Sequence, residues 1–232
     1  MRFGPADQME ITRDIIIIGA GGHGAEVSMI LQDRMRAGDK IRIAGFLDDN
    51  PGLHGKLICG IPVLGGMRWC EDVDVSALRV ICAIGSPPLC RQVVDRCLRL
   101  DMQFANAVSP EALIARDARI GTGVVIFPQV VVSTGVMIGD FSTLNTGVSV
   151  SHDSQVGRYC NLNPGARLAG GVRIGDGCYI GMSSSIIQNC SVGEWSIVGA
   201  GAAVVRDVAA NTTVVGVPAR AIQTREEGWH ER

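Results

Sequence analysis

The chain has 232 residues, a net charge of −2 and a hydrophobic fraction of 47%. That is enough apolar side chain for a packed core and too little positive charge for a polyanion-binding surface. Aromatic residues are only 4%, too few to stack on single-stranded nucleic acid, and no apolar run approaches the ~20 residues of a membrane-spanning helix.

Residues Met1–Arg13 carry acids and no apolar segment, which is not the pattern of a signal peptide. A soluble cytoplasmic protein is expected. The eight cysteines include no C-x-x-C pair, so they are read as thiols rather than disulfides or a zinc knuckle. The first ordered element is the aliphatic run Ile15–Ile18, a buried strand. Gly19-Ala20-Gly21-Gly22-His23-Gly24 follows it, matching G-x-G-x-x-G, and Ala25–Asp33 reads as a helix. Arg42–Leu47 is a second strand, closed by the turn Asp48-Asp49-Asn50-Pro51-Gly52. Leu78–Ile84 is a third. The helix after it places Leu89, Val93, Val94, Cys97 and Leu98 on one face. Strand, glycine loop, helix and strand make a Rossmann-like α/β unit.

A glycine turn at a helix N-terminus can cradle a phosphate with backbone N–H groups. Acids at the end of the second strand, Asp48 and Asp49, are placed to accept hydrogen bonds from a ribose or base. About ninety residues supply half of a dinucleotide fold, so a mononucleotide or nucleotide-sugar fits better than NAD. A tight turn that binds nothing is the bland alternative.

From Val108 the rhythm changes. Seventeen consecutive positions six apart, from Val108 to Val204, are all Ile, Leu or Val. The residue four further on is small or β-branched throughout, from Ala112 to Val208. A period of six fits neither a helix nor a continuous strand; it fits a short strand plus a turn. Three hexads close a triangular coil of eighteen residues, a parallel β-helix with coils ~4.8 Å apart. Residues eighteen apart then stack. On this reading Cys160, Cys178 and Cys190 are small inward packing residues.

The hexads resemble the left-handed β-helix hexapeptide acyltransferases, and the two halves in this order are similar to nucleotide-sugar N-acetyltransferases of the bacillosamine and perosamine type, related to the sialic acid O-acetyltransferases. The residues that carry this are Gly19–Gly24, Phe46-Leu47-Asp48-Asp49, Asn145 with Ser151-His152-Asp153 in an N-x(6)-H-[DE] element, and Gly216-Val217-Pro218-Ala219-Arg220.

The resemblance implies a Rossmann-like nucleotide-sugar-binding domain over 14–107 and a left-handed β-helix over 108–222. A polar tail is expected over 223–232, with Glu226–Arg232 read as frayed. It implies a homotrimer with acetyl-CoA lying between adjacent prisms and no metal. It also implies that a UDP-, GDP- or dTDP-linked amino sugar is acetylated at its amine. His152 is the expected general base, helped by Asp153, with Asn145 holding the sugar amine. Gly21, Gly22, His23, Gly24, Asp48 and Asp49 are expected around the nucleotide-sugar. Asn161, Gly170, Met182, Ala200, Val217 and Pro218 are expected along acetyl-CoA, with Arg206 and Arg220 available to its phosphates. One departure stands out: bacillosamine-type members have a second histidine nine residues after the first, where this chain has Asn161.

Rival readings remain. A sugar O-acyltransferase would use His152 equally well, and a non-catalytic nucleotide-binding β-helix module would not need it. A carbonic anhydrase on the same prism needs three histidine ligands; the hexads contain one.

Overall fold

The computed structural model describes residues 13–231. The reading of Met1–Arg13 falls, apart from Arg13 in the first strand, outside the described residues.

The α/β layer comprises β1 (Arg13–Ile18), α1 (Gly22–Arg36), β2 (Ile41–Leu47), β3 (Leu57–Ile58), β4 (Ile61–Gly65), β5 (Leu78–Cys82), α2 (Pro87–Arg99) and β6 (Gln103–Phe104). The sheet order is β3-β4-β2-β1-β5-β6. All pairings are parallel except β3 with β4. The isoleucines of β1 serve two cores: Ile15 and Ile17 join the larger core with α1 and the prism, while Ile16 and Ile18 pack with Met67, Cys70 and Cys97. Alternation along an extended strand produces this split.

The second half is a left-handed prism. Seventeen two-residue strands run from Ala107–Val108 to Ala203–Val204, each ending on one of the hexad aliphatics. The registers step by eighteen: Val108 pairs with Ile126, Ile126 with Leu144, Leu144 with Leu162, Leu162 with Ile180 and Ile180 with Val198. Ile126, Leu144, Leu162, Ile180 and Val198 are fully enclosed, each contributing ~1.5–3 kcal/mol of burial.

Three residues past each of most of these aliphatics the chain turns with positive φ, at glycines such as Gly135 and Gly171 or at Asp153, Asn189 and Trp195. Cys160, Cys178 and Cys190 are free thiols buried inside. The spacing breaks at the end: Val198 pairs with Val214, and Thr212–Val215 folds back on Arg220–Thr224 as an antiparallel hairpin.

The prism has three faces. The outward residues of the first, Ala107, Val125, Thr143 and Asn161, are buried, because the α/β layer lies on them. Leu113 and Val131 on the second face and Met137 on the third are exposed.

Two expectations change. The buried side of α2 is Cys90, Val94 and Cys97, while Leu89 and Leu98 face outward. The helix is rotated because its inner stripe must meet Cys82 on the sheet as well as Phe141 and Tyr159 on a prism corner. The stretch from Glu226 is not frayed over its described part. His230 is buried and stacks on Trp195 with ring centres 3.6 Å apart. Its Nε2 accepts from Arg91 of α2 at 2.8 Å. An aromatic contact and a guanidinium anchor outweigh the polarity that suggested a loose end.

Candidate functional site

The predicted residues fall on two different corners of the prism. His152 and Asp153 occupy the corner after the second face, following the enclosed Val150. Adjacent residues on an extended strand point apart, but Asp153 has φ 60°. That turn swings its carboxylate back to the ring, and His152 Nδ1 lies 2.9 Å from Asp153 Oδ2. A carboxylate only accepts, so this bond places the proton on Nδ1 and leaves a lone pair on Nε2. The pair is open to solvent.

Gly170 stacks one coil beyond, eighteen residues on. A Cβ there would lie 2.6 Å from His152 Cε1 and 2.7 Å from Nε2. The imidazole therefore rests on the space that this glycine leaves. The backbone fixes the same level, since Gly171 N donates to His152 O at 2.9 Å.

Asn145, Met182 and Ala200 lie on the corner after the first face. Asn145 Oδ1 accepts from Thr146 N at 2.8 Å. Met182, Ala200 and Val217 are exposed. The Val217-Pro218 turn is pinned to the last hexad: Ala203 N donates to Gly216 O, and Ala219 N to Ala203 O. Arg206 and Arg220 line a cavity of about 310 Å³ at the C-terminal end of the prism.

The glycine loop sits at this same corner, because the His23 ring stacks on Phe127 at 5.5 Å. Its glycines divide into two kinds. A Cβ on Gly24 would lie 1.9 Å from Gly19 O, and one on Gly19 would lie 2.7 Å from Ala83 O. Those two let the loop close on the sheet. A Cβ on Gly21 or Gly22 would meet nothing within 4 Å. Nothing inside the chain demands glycine there, so the space above the helix N-terminus is open to a ligand.

The other predicted contacts have partners within the chain. Asp48 Oδ2 accepts from Ala20 N at 2.8 Å and Oδ1 from Asn50 N at 2.9 Å, so the carboxylate clamps the glycine loop. Asp49 accepts from Met67 N at 2.9 Å and from Arg96 at 3.2 Å. His23 is driven toward the neutral form by burial, against the opposing pull of Glu26. Its ring stacks on Phe127, and its buried Nε2 has no hydrogen-bond partner within the chain. Asn161 is 7% exposed and lies under the α/β layer, where its Nδ2 donates to Gly85 O at 2.6 Å. Sequence reasoning missed Gly170 as the seat of the imidazole, although adding eighteen to 152 finds it. It also missed the contact between Asn161 and Gly85, which joins residues 76 apart in sequence.

Among the described residues no His, Cys, Asp and Glu cluster is arranged for a metal, and no helix is long and apolar enough to cross a membrane.

The model of the PglD N-terminal domain matches residues 14–97, and that of the bacterial transferase hexapeptide (six repeats) matches 171–206. No curated protein matched the chain in a sequence comparison. Among solved structures, GDP-perosamine N-acetyltransferase from Caulobacter crescentus, a His-to-Ala variant in complex with CoA and GDP-perosamine, is 31% identical with a TM-score of 0.84, over 90% of this chain and 97% of that one. The acetyltransferase domain of PglB from Neisseria gonorrhoeae, in complex with acetyl coenzyme A, is 28% identical with a TM-score of 0.83, over 91% and 100%. WeeI from Acinetobacter baumannii is 29% identical with a TM-score of 0.80, over 90% and 99%. With both halves matched in the same order and nearly the full length shared, the chain belongs to the nucleotide-sugar N-acetyltransferases of the perosamine and bacillosamine type, acyltransferases built as a Rossmann-like layer on a left-handed β-helix.

Proposed function

We propose that the protein transfers the acetyl group of acetyl-CoA to the amine of a nucleotide-linked amino sugar. The observation that carries this is the His152 imidazole, held by Asp153 with its Nε2 free and seated on Gly170. The amine nitrogen attacks the thioester carbonyl. His152 Nε2 takes the amine proton and returns it to the departing CoA sulfur. The products are an amide and free CoA thiol.

The two corners divide the labour. Asn145 and the glycine loop hold the acceptor, with Gly21 and Gly22 leaving room for its phosphates. Asp48 supports that loop from behind. Met182, Ala200 and the Val217-Pro218 turn form an exposed strip for acetyl-CoA, and Arg206 and Arg220 are available to its phosphates. One side of the prism, six residues long, separates this corner from His152. The site is therefore completed by a second copy whose His152 corner faces it, and a closed homotrimer of side-by-side prisms supplies three such sites. The exposed Leu113, Val131 and Met137 are the apolar surface available for that assembly. Boundaries near 107 and 222 follow from this division. A cytoplasmic setting suits eight free thiols.

The experiment is a thermal-shift screen against acetyl-CoA, UDP-, GDP- and dTDP-linked sugars and NAD, followed by thiol release with the sugars that stabilise. A ligand bound by the native state raises the melting temperature. Stabilisation by acetyl-CoA and one nucleotide-sugar, with thiol release only when that sugar carries an amine, is the expected result. Release with a hydroxyl sugar instead would make it an O-acyltransferase. Stabilisation by NAD alone would leave the prism as scaffold.

A further inference from the structure

We infer that Asn161 is a positioning residue for the acceptor: its amide fastens the Gly85–Ser86 loop to the prism and so fixes the lip of the nucleotide pocket. The inference rests on the proposed reaction and deepens it.

Asn161 occupies an outward position on the first prism face, in a column with Ala107, Val125, Thr143, Tyr179 and Ile197. Its NH2 donates to Gly85 O at 2.6 Å, while its Oδ1 is buried without a partner. Turning the amide over would set oxygen against oxygen, so the Gly85 carbonyl dictates its orientation. A buried, unpaired acceptor is costly, and an apolar residue, such as Val125 two coils earlier, would avoid the cost. What the asparagine provides is its donor.

The loop that it holds is well placed. Gly85 follows β5 at the carboxyl end of the parallel strands, where open α/β sheets bind ligands. β5 also meets the glycine loop directly: Ala83 N donates to Ile18 O at 2.8 Å, and Gly19 has room only for hydrogen against Ala83 O. α2 begins Pro87-Pro88, two residues with no N–H to tether the turn. The Asn161 bond thus links the prism to one wall of the acceptor pocket. This differs from the donor-side contact that the family histidine at this position suggests.

The test compares Asn161→Asp, which keeps the shape and removes the donor, with Asn161→Ala and with Asn161→His, whose ring N–H can restore the bond. Kinetics are measured with acetyl-CoA and the nucleotide-amino sugar found in the screen. Hydrogen exchange at Gly85 and Ser86 is measured on the ligand-free protein. The Asp and Ala variants are expected to raise the sugar KM about ten-fold, keep the acetyl-CoA KM within about two-fold, and speed Gly85–Ser86 exchange about ten-fold; the His variant recovers most of each. A rise in acetyl-CoA KM with the sugar KM unchanged, or unaltered loop exchange, overturns the inference. If no nucleotide-amino sugar is turned over, the reaction proposal fails on its own. The exchange result, with UDP, GDP and dTDP binding, still decides whether Asn161 holds the loop.

Discussion

The prism and the α/β layer expose their chemistry in opposite ways. In the prism, position along the sequence is position in space: eighteen residues is one coil. The neighbours of His152 above and below can therefore be counted. In the layer, the fold follows from pattern, but the jobs of individual side chains depend on distant contacts. Asp48 and Asp49 look like ligand groups by their place at a strand end. In the folded chain, Asp48 also holds Ala20 N and Asp49 also holds Met67 N, contacts that no local pattern announces. A repeat makes side-chain neighbours readable; a single-copy α/β unit makes only the backbone readable.

The sharpest way to break this comparison is at the prism corner. His152→Ala is expected to lower kcat/KM by about 10²–10⁴-fold while the melting temperature and acetyl-CoA binding stay the same. Full activity in this variant would remove the imidazole from the mechanism. Gly170→Val tests the register. Its side chain would enter the space of the imidazole, so kcat should fall more than ten-fold with the prism still folded, a loss of more than about 1.4 kcal/mol in the transition state. An unaffected enzyme would mean that the ring does not need its seat.

The glycine loop tests the other region. Gly24→Ala forces Cβ into Gly19 O and should cost about 2–4 kcal/mol in chemical denaturation. Gly21→Ala meets nothing in the chain. It should leave stability within about 0.5 kcal/mol and weaken nucleotide-sugar binding by calorimetry. Equal destabilisation by both would show that the loop is purely structural.

The smallest effect is on pH. Burial lowers the His23 pKa from its ordinary 6.5, and burial with Arg91 lowers that of His230. Below ~6.5 the unfolded chain binds protons that the native chain resists, so stability present at pH 7.5 is lost as the pH falls toward 5.5. His23→Phe, which keeps a ring against Phe127, should reduce that fall in melting temperature by about 2–4 °C. An unchanged slope would place the acid sensitivity elsewhere.

How much was legible follows the same division. Every hexad aliphatic from Val108 to Val204 ends a strand, because an inward position every six residues has no competing reading. The family pattern pairs His152 with Asp153, but how they meet was not legible, since the contact needs the positive φ of Asp153. That conformation is set by the corner and is one that aspartate tolerates. The α2 stripe was right at Val94 and Cys97 and misassigned at its edges, because Leu89 and Leu98 are more apolar than Cys90, yet the helix turns toward the site it must fill. His230 on Trp195 joins residues 35 apart in sequence across two elements, and no local pattern announces it.

The central claim is that one chain carries two half-sites, His152 on one corner and the glycine loop on another. Subunit complementation tests it most directly. His152→Ala and Gly21→Trp, each inactive alone, are unfolded together, refolded as a mixture and assayed. If each site takes its histidine from one copy and its loop from another, random trimers regain about a quarter of wild-type turnover. If the mixture stays as inactive as its parents, both halves belong to the same chain and the account is wrong.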